Sequence, residues 1–281
     1  MSLLNNYHVL NWINSLKINV QDCGYAELGS EWQRRNVCSP YTRIYYIHHG
    51  EGYARKDDQR ILFREGYMYL IPIGYRYDYG CDEHIDQLYF HINISLPSGL
   101  DLFSQCSRIY ELPIDRAEIE RIVMLYRSPD MADALAIACC LYRDVAAFIA
   151  KADMEAKPPF SYSDMLQKLF PIIRRRLSAK LTIAQLADEM NVSQSTLTKR
   201  FSAEMEMTLG QYLDTLLFQR CQQMLLFSDD SIGVISDKLD FCDQFYFSRY
   251  FKQRQQETPS RYRKRMKSSI WGENARVLGT D

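Results

Sequence analysis

The chain has 281 residues, of which 47% are hydrophobic and 25% charged, enough for one large or two ordinary domains with cores of their own. Nine Pro, 12 Gly and 13% aromatics exclude a disordered or fibrous chain. The longest uncharged apolar run, Leu135 to Tyr142, falls far short of the ~20 residues that span a bilayer, so no membrane partner is expected. The opening MSLLNNYHVLNW has no basic lead into an apolar stretch, and no secretory signal is expected. Eight cysteines, at 23, 38, 81, 106, 139, 140, 221 and 242, form no CxxC pair; they are expected to be reduced thiols of a cytoplasmic protein.

The net charge of −1 conceals an asymmetry. Residues 1–160 carry 16 Lys and Arg against 21 Asp and Glu, whereas residues 161–281 carry 18 against 14. Of the 20 Tyr, 16 lie at or before Tyr162. Two domains with different partners are implied, the mildly basic one suited to a polyanion.

From Thr42 to about Ser95 the pattern is β. RIYYIHHGEGYARK reads as a strand, a turn at Gly50–Gly52 and a second strand; ILF, MYLIP and QLYFHINI follow, punctuated by Gly66, Gly74 and Gly80. Such spacing suggests an antiparallel sandwich or small barrel, closed by Pro113. Ile119, Ile122, Val123 and Tyr126 then share one helical face, and after Ser128-Pro129 a second amphipathic helix carries Ala138, Leu141, Val145 and Phe148. These helices, 116–127 and 131–150, are expected to supply dimer contacts through their apolar stripes. Pro158-Pro159 cannot continue a helix. The division is therefore 1–155, a linker over 156–163, and an all-helical 164–281.

The helical half contains a duplication. QSTLTKRF at 194–201 aligns with QFYFSRYF at 244–251, and upstream Thr182-Ile183, Leu186, Asp188 and Met190 align with Ser231-Ile232, Ile235, Asp237 and Leu239. Each copy reads as helix, tight turn, helix. Thr182 with Gln185 fits a capping box, Asn191 suits a left-handed turn, and Ser193 and Asp243 can cap the second helices. Two helices joined by about three residues, the second polar on its outer face, form a helix-turn-helix. The second helix enters a major groove with its first side chains at base edges. Gln194, Ser195, Thr196, Thr198 and Lys199 are the candidates in the first copy; Gln244, Phe245, Tyr246, Ser248 and Arg249 are those in the second. Gln pairs with adenine, Arg or Lys with guanine, and Phe presses on a thymine methyl. Leu197, Phe201, Phe247 and Phe251 belong to the core. Between the copies, Leu213, Leu217, Cys221 and Met224 keep one face of a helix of ~30 Å apolar, close to the ~34 Å of one turn of B-DNA.

From Leu181 to Arg265 the chain resembles the DNA-binding domain of the AraC/XylS family of bacterial transcription regulators, most closely in FCDQFYFSRYFKQRQQETPSRYR at 241–263. Thr258-Pro259 and Tyr262-Arg263 fit the closing helix. Glycine is usual in the family where this chain has Glu206, Asp240 and Gln256, so those turns are expected either to differ locally or to carry strain. The resemblance implies a sequence-specific regulator, usually an activator, acting on double-stranded promoter DNA, with RNA polymerase as a further partner.

Arg43 to Asn93 resembles the cupin-like sensor domain of many such regulators, through YYIHHGEGY, the Gly66…Ile71-Pro72…Gly74 run and YFHIN. The fold class implied is two-domain: a cupin-like jelly-roll barrel with dimerisation helices, then an all-α double helix-turn-helix. The barrel would bind a small polar effector, often a sugar, and the chain would be a homodimer. Arg43, Tyr45, Tyr77, Tyr79, Tyr89 and His91 are the candidate effector ligands, with Tyr77 and Tyr79 on a pocket rim and half of the set pointing outward. A metal-dependent cupin enzyme is the rival. Adjacent His48 and His49 on a strand should face opposite sides, and no H-x-H pair with a suitably spaced Glu is present. Hence no catalytic residue, metal or other cofactor is expected. A regulator controlled without any ligand is the remaining alternative.

Overall fold

The computed structural model describes residues 14, 16–152 and 162–274. Among them two compact units separate. Residues 17–94 and 101–152 form a sheet unit; residues 162–268, together with the six-residue segment Ser95–Leu100, form a helical unit. The proline-containing stretch expected to link the domains lies almost wholly outside the described residues.

Eight antiparallel strands make the sheet unit: β1 (Ile18–Gly29), β2 (Gln33–Cys38), β3 (Thr42–Lys56), β4 (Gln59–Arg64), β5 (Tyr67–Ile71), β6 (Arg76–Gly80), β7 (His84–Ile94) and β8 (Tyr110–Pro113). β1 and β2 precede the region whose alternation was legible, because INVQDCGYAELG and QRRNVC mix charged and small residues with few β-branched ones. β3 organises the topology. Its first half pairs with β7 and β5, in the order β1-β7-β3-β5-β8, while its second half pairs with β4 and β6, and β6 pairs with β2. One long strand thus serves two sheets, and Trp32, Tyr45, Ile47, Phe63, Tyr69, Tyr77, Ile85 and Tyr89 fill the core they enclose.

The expected turn at Gly50–Gly52 is absent: β3 runs through it and turns at Asp57, where φ is +52°. Gly50 instead follows a bulge between Ile47 and His49, at φ +73°, where a Cβ would collide with the His84 carbonyl oxygen. That bulge also corrects the expectation for His48 and His49. Alternation is interrupted there, so the two rings lie on one side, with centroids 4.0 Å apart. His48 Nδ1 pairs with the Tyr25 hydroxyl at 2.7 Å, and burial lowers the His48 pKa.

Two helices follow, α1 (Arg116–Arg127) and α2 (Met131–Lys151), capped by Asp115 and Asp130. Ile119, Ile122 and Val123 of α1 and Leu141, Val145 and Phe148 of α2 are buried. Tyr46 donates to Asp144 at 2.6 Å, tying α2 to β3.

The helical unit contains α3 (Asp164–Arg176), α4 (Ile183–Glu189), α5 (Gln194–Met205), α6 (Leu209–Phe227), α7 (Ile232–Lys238), α8 (Gln244–Gln255) and α9 (Pro259–Asn274). The capping box of Thr182 and Gln185 is formed, and a second one joins Thr208 to Gln211 at the start of α6. α6 is buried on two sides, through Leu209, Tyr212 and Leu216 and through Leu217, Cys221 and Leu225. The single stripe expected there is thus too narrow, with Leu213 and Met224 only half-buried, because this helix is core to both copies of the repeat.

Candidate functional site

The two helix-turn-helix copies repeat each other down to backbone hydrogen bonds. Asn191 donates to the Asp188 carbonyl and Val192 to that of Ala187; Asp240 donates to Asp237 and Phe241 to Ser236. Asn191 and Asp240 both sit in the left-handed region, at φ +52° and +57°. The reader helices α5 and α8 also end alike, with Glu206 at φ +57° and Gln256 at φ +66° as C-caps. The turns that lack the family's glycines therefore keep a glycine-like backbone, each side chain adding left-handed strain of about 1–2 kcal/mol.

Leu197, Phe201, Phe247 and Phe251 are fully buried, which fixes the opposite face of each reader outward. On α5, Gln194, Ser195 and Lys199 are exposed, and Thr196 and Thr198 half-buried. Its hydroxyls are already engaged: Ser193 Oγ lies 3.0 Å from Ser195 Oγ and 2.8 Å from Thr196 Oγ1, and Thr198 Oγ1 donates to the Gln194 carbonyl at 2.9 Å. Gln194 and Lys199 are left as the long, outward side chains. Arg200, exposed beside Lys199, is a further cation that the alignment of the two copies did not single out.

On α8, Gln244, Phe245, Tyr246 and Arg249 are exposed and Ser248 is half-buried. Asp243 accepts from the Tyr246 N–H at 2.6 Å, and that bond first, with the Phe245 N–H after it, holds its carboxyl below the ordinary carboxylate range. The Arg249 guanidinium lies 6.0 Å from the Tyr246 ring centre. Arg254, on the inner side of α8, grips Asp214 of α6 with Nε at 3.0 Å and Nη2 at 2.5 Å and stacks 3.7 Å from the Tyr250 ring, setting α8 against α6.

A second constellation lies inside the sheet unit. Cross-strand pairing places Asp22, His91, Arg43 and Ile71 in one row, Gly24, Tyr89, Tyr45 and Tyr69 in the next, and Ala26, Gln87 and Ile47 in a third. Residues 43 and 45, 77 and 79, and 89 and 91 are each two apart and so share a face in pairs; that face is the inner one, since Tyr45, Tyr77, Tyr79 and Tyr89 belong to the enclosed core and Arg43 and His91 pack against them. The expectation that half would face outward, and that Tyr77 and Tyr79 would form a rim, is corrected: all six are buried. Gly24 is required there, since a Cβ would lie 2.6 Å from the Tyr89 hydroxyl.

Arg43 donates to Tyr45 Oη at 2.7 Å and to Ser39 Oγ at 3.0 and 3.2 Å, and it packs between the rings of Tyr41 and Tyr79. His91 stacks on Tyr41, with Nδ1 3.4 Å from the Asp22 carboxylate. Burial, more than the proximity of Arg43, lowers its pKa to about 4, so the ring is neutral at pH 7. Gln87, missed in the sequence, is fully buried, and neither amide atom has a hydrogen-bond partner among the described residues. Its signal was available: Gln87 shares the inward parity of Tyr89 and His91.

Residues 186–265 match a family model described as a helix-turn-helix domain. The chain is 23% identical over 277 residues to the Msm operon regulatory protein of Streptococcus mutans, covering 93% of this chain and all of that protein. It is 30% identical over 109 residues to the HTH-type transcriptional activator RhaR of Escherichia coli K12, covering 39% of each. In fold it is similar to a variant of apo ToxT from Vibrio cholerae, with a TM-score of 0.52 at 12% identity over 89% of this chain and 97% of that one. ToxT bound to (E)-4-(8-methylnaphthalen-1-yl)but-3-enoic acid gives a TM-score of 0.51 at 13% identity, over 89% and 98%. Two capped reader helices with shared turn geometry, within residues that match a helix-turn-helix model, make the helical unit a double helix-turn-helix domain, in a chain similar over 93% of its length to an operon regulatory protein.

Proposed function

We propose that the chain is an effector-responsive activator whose sheet unit senses a small polar molecule and whose helical unit holds promoter DNA through Gln194, Lys199, Gln244, Phe245, Tyr246 and Arg249. The observation that carries the sensor reading is the buried polar interior. A native core rarely leaves a side-chain amide unpaired, and an unpaired buried polar group costs about 1–3 kcal/mol. Gln87 has an open donor and acceptor, and Arg43 is a buried cation whose hydrogen-bond partners, Ser39 and Tyr45, are neutral. A bound molecule bearing hydroxyl or carboxylate oxygens would pair with both. One of the ToxT structures above also holds a small organic acid. A ligand-independent regulator is the second reading, favoured by the engagement of all three Arg43 nitrogens inside the sheet unit. Enzymatic chemistry is assigned to no residue, since the relatives are regulators.

The chain acts as a cytoplasmic homodimer in this reading, with RNA polymerase as its downstream partner. The helix stripes first assigned to the dimer contact are spent inside the sheet unit, where Ile119, Ile122, Leu141, Val145 and Phe148 are buried. The dimer face moves to exposed Met124 of α1 and to Met131, Leu135 and Tyr142 of α2, the last three spaced along one helical line.

The test is thermal denaturation of the full chain against sugars and small carboxylates. A molecule that binds only the folded state adds about 2.7 kcal/mol at a hundredfold excess over Kd. The expected result is at least one ligand that raises Tm and whose effect is lost in Gln87→Leu. Ligand-insensitive Tm together with ligand-insensitive DNA binding would establish the second reading.

A further inference from the structure

The two readers share a backbone but not a surface. At the second position of α5 stands Ser195, hydrogen-bonded locally to Ser193; at the equivalent position of α8 stands Phe245, a residue 77% exposed. The other phenylalanines of α8, Phe247 and Phe251, are fully buried and account for its packing. Phe245 therefore adds nothing to the core, and an exposed phenyl ring on a helix otherwise polar on that face is unfavourable in water. It lies four residues before Arg249, so the two side chains are neighbours on one face, with starting points about 6 Å apart along the helix.

We propose that Phe245 is a specificity-determining residue of the second reader and that it recognises the 5-methyl group of a pyrimidine in the major groove. The proposal rests on the DNA-binding reading and deepens it. Among major-groove edges, the thymine C5 methyl is the apolar feature that a phenyl ring can cover; hydrogen-bond donors and acceptors offer it nothing. Arg249 matches a guanine through O6 and N7. With the base-pair step at ~3.4 Å, their separation places the methyl within about two base pairs of that guanine. The first reader has no equivalent, because Ser195 is small and its hydroxyl is engaged. Methyl recognition by a phenyl ring is therefore confined to one half of the binding site.

The experiment uses the full chain. A duplex is selected from random-sequence DNA by repeated binding, and each dT is then replaced singly by dU, which removes only the methyl group. Wild type, Phe245→Ala and Arg249→Ala are compared by fluorescence anisotropy at fixed salt. Wild type should lose about fourfold in affinity at one dT, the value of one desolvated methyl-sized group. That dT should lie within about two base pairs of the guanine whose replacement is tolerated by Arg249→Ala. Phe245→Ala should be indifferent to the same dU, while its thermal unfolding stays that of wild type. A specific duplex on which no dU substitution weakens wild type overturns the proposal. So does an equal dU loss in wild type and Phe245→Ala. If no sequence is enriched at all, the DNA-binding reading fails with it, an outcome distinct from the other two.

Discussion

The interior of the sheet unit and the surface of the reader helices use the same residue types in opposite ways. On α5 and α8 the candidate DNA-contacting side chains face outward, and the buried face is apolar except for Gln255 at the end of α8, which accepts from Gln222 of α6 at 3.2 Å. Inside the sheet unit Arg43, Gln87 and His91 are buried, and their neighbours come from strands distant in sequence. The readers are thus a surface whose energetics are local. The sheet interior is a polar core whose stability depends on long-range pairing, and a ligand that completes it would act on the whole unit.

This contrast is broken most severely through the apolar side of a reader. Phe251 is fully buried against Phe218, Phe247 and Tyr262, so Phe251→Ala should cost about 3–5 kcal/mol in chemical denaturation. Phe245→Ala, on the same helix, should stay within about 0.5 kcal/mol of wild type. Comparable losses in the two variants would show that the outward face is structural.

The next effect concerns DNA. Arg249→Ala should cost about 1–3 kcal/mol of binding and relax preference at a single base pair. Uniform weakening across sequences, with a shallower salt dependence, would make Arg249 a phosphate contact instead.

Much of this division was legible in the sequence. The repeat, the caps at Thr182, Ser193 and Asp243 and the left-handed Asn191 rest on contacts within a few residues, where spacing determines geometry, and the four core aromatic and leucine positions follow from helical periodicity even though their packing partners are distant in sequence. The sheet unit was legible only in outline. β1 and β2 lack a strong alternation, the bulge at Ile47 to His49 changes the facing of His48 and His49, and Gln87 is uninformative until its row is known. Each of these depends on which strand lies beside which, and period-2 patterning does not carry that information.

The sheet interior can be probed by pH. The pKa of His91 is lowered to about 4 against an unfolded value near 6.5, so the unfolded chain binds the proton more readily. His91 contributes full stability above pH 6.5, and this is lost as pH falls from 6.5 toward 4. Asp22 and Arg43 face the ring and pull in opposite directions, the first raising and the second lowering its pKa. Denaturation midpoints for wild type and His91→Gln should converge as pH falls through that window and run parallel above it. Parallel behaviour throughout would mean that the ring is open to solvent in the native state.

The smallest effect is a gain. Glu206→Gly and Gln256→Gly relieve left-handed strain of about 1–2 kcal/mol, offset by roughly 0.5–1 kcal/mol of added freedom in the unfolded chain. Each should stabilise by about 0.5–1 kcal/mol, read as a shift in the denaturant midpoint. A loss on either substitution would mean that the side chain makes a contact worth more than the strain.

The claim that two equivalent readers hold one DNA site is tested most directly by guanine-N7 methylation protection on a selected duplex bound by the full chain. The expected pattern is two protected clusters on one face of the duplex, about one helical turn apart, roughly 10–10.5 base pairs. Arg249→Ala should weaken one cluster and Lys199→Ala the other. A single protected cluster, weakened by one substitution and untouched by the other, would contradict the account.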